Sequence, residues 1–114
     1  MFKQGDILLI PIPFSDLTSN KKRPVLVLSN SEYNFKTEDM LVAAITSNLE
    51  SKEYSVQFDN DDLSEGTLKV TSIIRSDKIY TLSKYIVIKK FGCVKKEIID
   101  KVKVQLNSLL EETI

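Results

Sequence analysis

VTSIIRSDKIYTL, residues Val70 to Leu82, is β-branched and alternating, as a strand should be, yet an arginine and an aspartate sit in its middle. Residues two apart in a strand share a face, so Thr71, Ile73, Arg75 and Asp77 project together while Ser76 points away. On the surface, an Arg75–Asp77 pair is a salt bridge worth at most about 1 kcal/mol. Buried, it would cost desolvation and need further partners. A face that also carries Ile73 accommodates such a pair best where it opens into a groove.

Outward from this stretch, the pattern remains that of strands. GDILLIPIPF reads as a first strand ended by Pro11 and Pro13, and SDLTSNKK (Ser15–Lys22) as a polar loop. RPVLVLSN is a second strand and MLVAAITS a third, with room in SEYNFKTED for a short helical turn between them. EYSVQFDNDD sets Tyr54, Val56 and Phe58 against polar positions, as a half-exposed fourth strand does. DDLSEGTLK reads as a turn before a strand from Thr71 to Tyr80, and YIVIKKFGCV supplies one more short strand. From Val94 the period changes: Ile98, Val102, Leu106 and Leu109 or Leu110 recur at helical spacing, with Glu97 in the first turn. The expectation is a C-terminal amphipathic helix of about five turns. Six or seven short antiparallel strands and one terminal helix, without helices between strands, give a mainly β fold: a compact, SH3-like β-barrel plus α, in one domain over residues 1–114.

Composition narrows the chemistry. The chain has no histidine and a single cysteine, Cys93. An internal disulfide and a cysteine-based zinc site are thereby excluded, and the commonest metal ligand and general acid–base are missing. Neither a metal nor a cofactor is expected. Formal net charge is zero, which argues against sequence-blind binding to long duplex DNA but leaves room for a short single strand on a local basic patch. No apolar run approaches the ~20 residues of a membrane span. The N-terminal segment does not read as a signal peptide, so the expected location is the cytoplasm.

Three segments place polar groups where strands prefer apolar ones. KKRP (Lys21–Pro24) is either a solvated loop edge or a phosphate-binding corner, with Lys21 and Lys22 supplying field and Arg23 oriented donors. AITSN (Ala44–Asn48) closes a strand with Thr46 and Ser47, either bonding to nearby backbone or positioning a phosphate or ribose. The third is the Arg75–Asp77 stretch. Arginine occurs only at positions 23 and 75 against fourteen lysines, and its planar fork is the better partner for a phosphate.

GDILLIPIPFSDL, KKRPVLVLS, AITS and SIIRSDKIYTL, in this order and followed by a glycine and a terminal amphipathic helix, resemble the PemK/MazF family of toxin endoribonucleases from Gly5 to about Leu110. The resemblance implies an SH3-like barrel working as a homodimer, the toxin of a type II toxin–antitoxin pair. It also implies metal-independent cleavage of single-stranded RNA, leaving a 2′,3′-cyclic phosphate and a 5′-hydroxyl. The family's RP arginine maps onto Arg23, its TS hydroxyls onto Thr46 and Ser47, and its R-x-D pair onto Arg75 and Asp77. One relative uses a histidine in the first long loop; that role is vacant here. On this basis Asp77 is the candidate base, Arg75 stabilises the phosphorane, and Arg23 clamps the phosphate, with Lys21, Lys22, Thr46, Ser47 and Thr71 around the substrate. The cognate antitoxin is expected to be acidic and partly disordered. Two other readings fit the same barrel: a non-enzymatic, CcdB-like gyrase poison, and an interaction module in which Arg75 and Asp77 form a structural salt bridge.

Overall fold

The computed structural model of the protein describes residues 1–11, 21–50 and 53–112. These form seven strands: β1 (Asp6–Pro11), β2 (Lys22–Val27), β3 (Asp39–Thr46), β4 (Ser55–Phe58), β5 (Leu63–Gly66), β6 (Ser72–Ser83) and β7 (Lys89–Val94). Helix α1 (Ser31–Lys36) lies between β2 and β3, and α2 (Lys96–Leu110) closes the chain. All pairings are antiparallel, in the order β4-β6-β3-β2-β1-β7-β5. The two edges, β4 and β5, are consecutive in the chain and joined only through a 3₁₀ turn at Asn60–Asp62. So short a link requires the sheet to curl back on itself, and the result is a curled half-barrel, mainly β as expected.

Strand alternation divides the core into two faces. Ile7, Leu26, Ala43, Ile45, Val56, Phe58 and Ile74 form one cluster with Ile98, Ile99 and Val102 of α2. Leu8, Ile10, Val25, Val27, Met40, Val42 and Leu82 form the other, packed against Phe2, Ile86 and Val87. We call these the helix face and the opposite face.

Where the sheet tightens, the sequence supplies glycine and charge. β5 and β7 cross at Gly66 and Gly92. A Cβ on Gly92 would meet the Glu65 carbonyl, and one on Gly66, at φ +88°, would meet that of Phe91. Beside them the wholly buried Asp6 carboxylate accepts from the Lys3 backbone N–H at 2.9 Å and pairs with Lys90 Nζ at 3.2 Å. Lys90 also reaches Glu65 at 3.0 Å, so one ammonium ties β1, β7 and β5 together. That hydrogen bond holds the Glu65 pKa below its ordinary value.

Several boundaries differ from the sequence expectation. The segment read as a turn before residue 71 contains β5, which pairs with β7. Val94 ends β7, and α2 spans 15 residues, about four turns, rather than five. Leu109 and Leu110 are exposed, so the buried stripe stops near Leu106. β1 ends at Pro11 as expected; Pro13, Phe14 and Ser15–Asn20 of the following loop lie outside the described residues. None of the described helices is long and apolar enough to cross a membrane.

Candidate active site

Register places the candidate residues. On β3, Ala44 pairs with Val25 of β2 on one side and Arg75 of β6 on the other. Directly paired residues share a face, so Arg75 stands on the opposite face with Val25. Extending the β2–β3 register by one two-residue step sets Arg23 beside Thr46, on that same face. Arg23, Thr46 and Arg75 thus line up across three adjacent strands. From strand spacing, the two arginine Cα atoms are about 12 Å apart.

β6 does not continue straight through this region. Arg75 pairs with Ala44, but the next pair is Ile79 with Ala43, leaving Ser76, Asp77 and Lys78 without partners on β3. This bulge reverses the alternation: Ile73 and Arg75 lie on the opposite face, and beyond the bulge Tyr80 and Leu82 do. Asp77 is carried out of the ladder and folds back on Arg75. Arg75 Nε and Nη2 donate to its two carboxylate oxygens at 3.0 and 2.9 Å, with 18% and 29% of the two side chains exposed. The pairing holds the Asp77 pKa below the ordinary aspartate value and raises that of Arg75.

Ser76 points the other way, as alternation predicts, and is wholly buried. Its hydroxyl donates to Gln105 Oε1 at 3.1 Å, Gln105 Nε2 donates to the Ser55 carbonyl at 2.7 Å, and its backbone N–H donates to the Tyr54 carbonyl at 2.8 Å. Tyr54 adopts φ +57°, an uncommon left-handed conformation for an aromatic residue. Gln105 was not singled out from sequence. The available signal was a polar residue at a helical spacing from Ile98 and Val102.

Thr46 Oγ1 accepts from the Asn48 N–H at 3.1 Å, so this hydroxyl meets the local backbone. Ser47 alternates to the helix face and lines a separate cavity there. Lys21 and Lys22 are exposed at the outer end of the β1–β2 ladder, and Thr71 is half-buried just before β6. The structure therefore brings together Arg23, Thr46, Arg75 and Asp77, and sets Ser47 apart. Among the described residues, no three His, Cys, Asp or Glu side chains are grouped to hold a metal ion.

The sequence matches the description PemK-like, MazF-like toxin of type II toxin–antitoxin system over residues 3–110. Among solved structures, the chain is similar to an endoribonuclease from a mycobacterial species in complex with its cognate antitoxin, at 20% identity and TM-score 0.78, covering 96% of this chain and 95% of that one. MazE–MazF from Deinococcus radiodurans (Form-III) is 21% identical with TM-score 0.78, covering 97% of each chain. MazF alone from that organism is 22% identical with TM-score 0.76, covering 95% of this chain and 94% of that one. No curated protein sequence matches the chain. The structural likenesses establish a shared fold, and the sequence match spans nearly all of it: the chain belongs to the PemK-like, MazF-like toxin family of type II toxin–antitoxin systems.

Proposed function

We propose that the protein is a sequence-selective endoribonuclease that cuts single-stranded RNA without a metal ion and thereby stops translation and growth. The observation that carries this reading is the alignment of Arg23, Thr46 and Arg75 on one face of three adjacent strands, with Asp77 bonded to Arg75. In the proposed reaction the RNA 2′-hydroxyl attacks the adjacent phosphorus, the P–O5′ bond breaks, and the products carry a 2′,3′-cyclic phosphate and a 5′-hydroxyl. Arg23 and Arg75 neutralise the charge that builds on the phosphorane oxygens, a contribution typically worth ~3–4 kcal/mol per well-placed donor. Asp77 accepts the 2′-hydroxyl proton, and the leaving 5′-oxygen takes its proton from Arg75 or from a water that Arg75 holds. Because the ion pair with Arg75 lowers the basicity of Asp77, the first transfer requires the guanidinium to turn from the carboxylate to the phosphate as substrate binds. Thr46 positions the phosphate, and Lys21 and Lys22 add positive field.

We assign the toxin an acidic antitoxin partner that folds on binding, a homodimeric working state, and the cytoplasm as its location. Two of the neighbours above, the mycobacterial endoribonuclease and MazE–MazF, are complexes with an antitoxin. The exposed side chains of Met1, Phe35 and Tyr85 gather round a hollow of about 290 Å³, apolar surface of the kind an assembly covers.

The test is incubation of purified protein with a long RNA in EDTA, followed by mapping of the ends. Cuts at a recurring short motif, with cyclic phosphate upstream and 5′-hydroxyl downstream, support the reading. Intact RNA together with a block of gyrase supercoiling would replace it with the gyrase-poison alternative.

A further inference from the structure

Helix α2 packs on the helix face through Ile98, Ile99 and Val102, in the cluster that includes Val56, Phe58 and Ile74. Toward the ends of β1, β2 and β3, that face is left open and becomes a cavity of about 510 Å³, a volume in the range of small-molecule sites. Leu9, Pro24 and Ile45 form its apolar wall, and the segment from Thr67 to Val70 runs along it. Among the described residues its lining carries three cations, Arg23, Lys69 and Lys89, and no carboxylate. Phe91 presents an aromatic wall 39% exposed, with Lys89 Nζ 4.9 Å from the ring centroid. The hydroxyls of Ser47 and Thr67 also lie in the lining.

An apolar slot with an aromatic wall, hydroxyls and a cationic rim suits a flat heterocycle attached to an anion. We infer that this cavity receives one unstacked nucleobase of the RNA strand, stacked on Phe91, with Lys69 and Lys89 on its neighbouring phosphates. The inference rests on the endoribonuclease reading above and extends it to a base-selecting subsite. Continuity favours RNA over an acidic peptide as occupant: Arg23 borders the cavity and also belongs to the proposed phosphate-handling face, so the captured base would flank the scissile bond.

The chain contains no tryptophan, so Phe91→Trp places a sole indole reporter in the wall. Titration of this variant with eight-nucleotide single-stranded RNA homopolymers should quench its fluorescence saturably, most strongly with the preferred base. Phe91→Ala should bind the same oligonucleotides about 5- to 150-fold more weakly, the range for loss of one base–aromatic stack. Its cut sites should also lose their base preference at one position beside the scissile bond. Lys69→Ala should weaken binding about equally for all four homopolymers. If wild-type protein cuts RNA while the indole stays silent and Phe91→Ala keeps full base preference, the subsite is overturned and the nuclease stands. An indole that responds only to an acidic glutamate–leucine peptide likewise overturns it, assigning the cavity to a protein partner. If wild-type protein cuts no RNA, the endoribonuclease reading fails by itself, and saturable quenching by RNA still separates base binding from its absence.

Discussion

Ser76 Oγ donates to Gln105 Oε1 at 3.1 Å, joining the β6 bulge to the C-terminal helix. Since Gln105 also donates to the Ser55 carbonyl at 2.7 Å, one side chain holds β4, the bulge and α2 in register. Gln105→Ala leaves a buried hydroxyl and a carbonyl without that partner, at a cost of about 1–3 kcal/mol. The expected outcome is a melting temperature several degrees lower. kcat should fall more than KM changes, because Arg75 and Asp77 sit on either side of Ser76. Gln105→Glu keeps an acceptor for Ser76 and should recover part of kcat; equal loss in both variants would separate the clamp from catalysis.

Arg75→Ala should keep the fold and lower the cleavage rate several hundredfold, the usual loss of a transition-state donor. Arg75→Lys should not restore it, since one ammonium cannot replace the planar two-pronged donor, now paired with Asp77, that the mechanism turns to the phosphate. Circular dichroism and single-turnover cleavage check both halves.

The Arg75 hydrogen bonds lower the Asp77 pKa, which fixes the sign of its pH dependence. The carboxylate stays charged below the usual value near ~3.9. Cleavage should therefore be level from pH 8 down to about 5 and decline only as pH falls through the depressed folded-state value. Stability has the same sign: the pair's contribution, no more than about 1 kcal/mol at this exposure, is present above the unfolded-state pKa and lost as pH falls through the folded one. Asp77→Asn should remove this acid limb of stability as well as most of the activity. Rate and melting temperature measured together across pH check it.

Gly92→Ala should be costly away from any site, because its Cβ would meet the Glu65 backbone at the β5–β7 crossing. A loss of about 2–3 kcal/mol is expected, read as a lower urea midpoint.

Much of this was legible in the chain. Hydrophobic alternation gave six of the seven strands, and the change of period after Val94 gave the helix. β5 was not legible, because LSEG carries turn formers and is a strand only through its pairing with β7. The bulge was equally hidden: alternation correctly sent Ser76 inward, but nothing in RSDK reveals that its last three residues lack partners on β3. Strict parity set Thr71, Ile73, Arg75 and Asp77 on one face; Arg75 and Asp77 do meet, although Asp77 reaches its partner from outside the ladder. Thr46 and Ser47, read as a pair, fall on different faces by the same alternation. Lys69, Lys89 and Phe91 carried no local signal, since only the curl of the sheet brings them round one cavity with Arg23.

The most direct measurement is end-mapping of one long RNA in EDTA after treatment with wild-type protein, Arg23→Ala and Arg75→Ala in parallel. The account predicts discrete cuts with 2′,3′-cyclic phosphate ends for the wild type, lost several hundredfold in both variants while each stays folded. Cleavage by both variants at the wild-type rate and positions would contradict it.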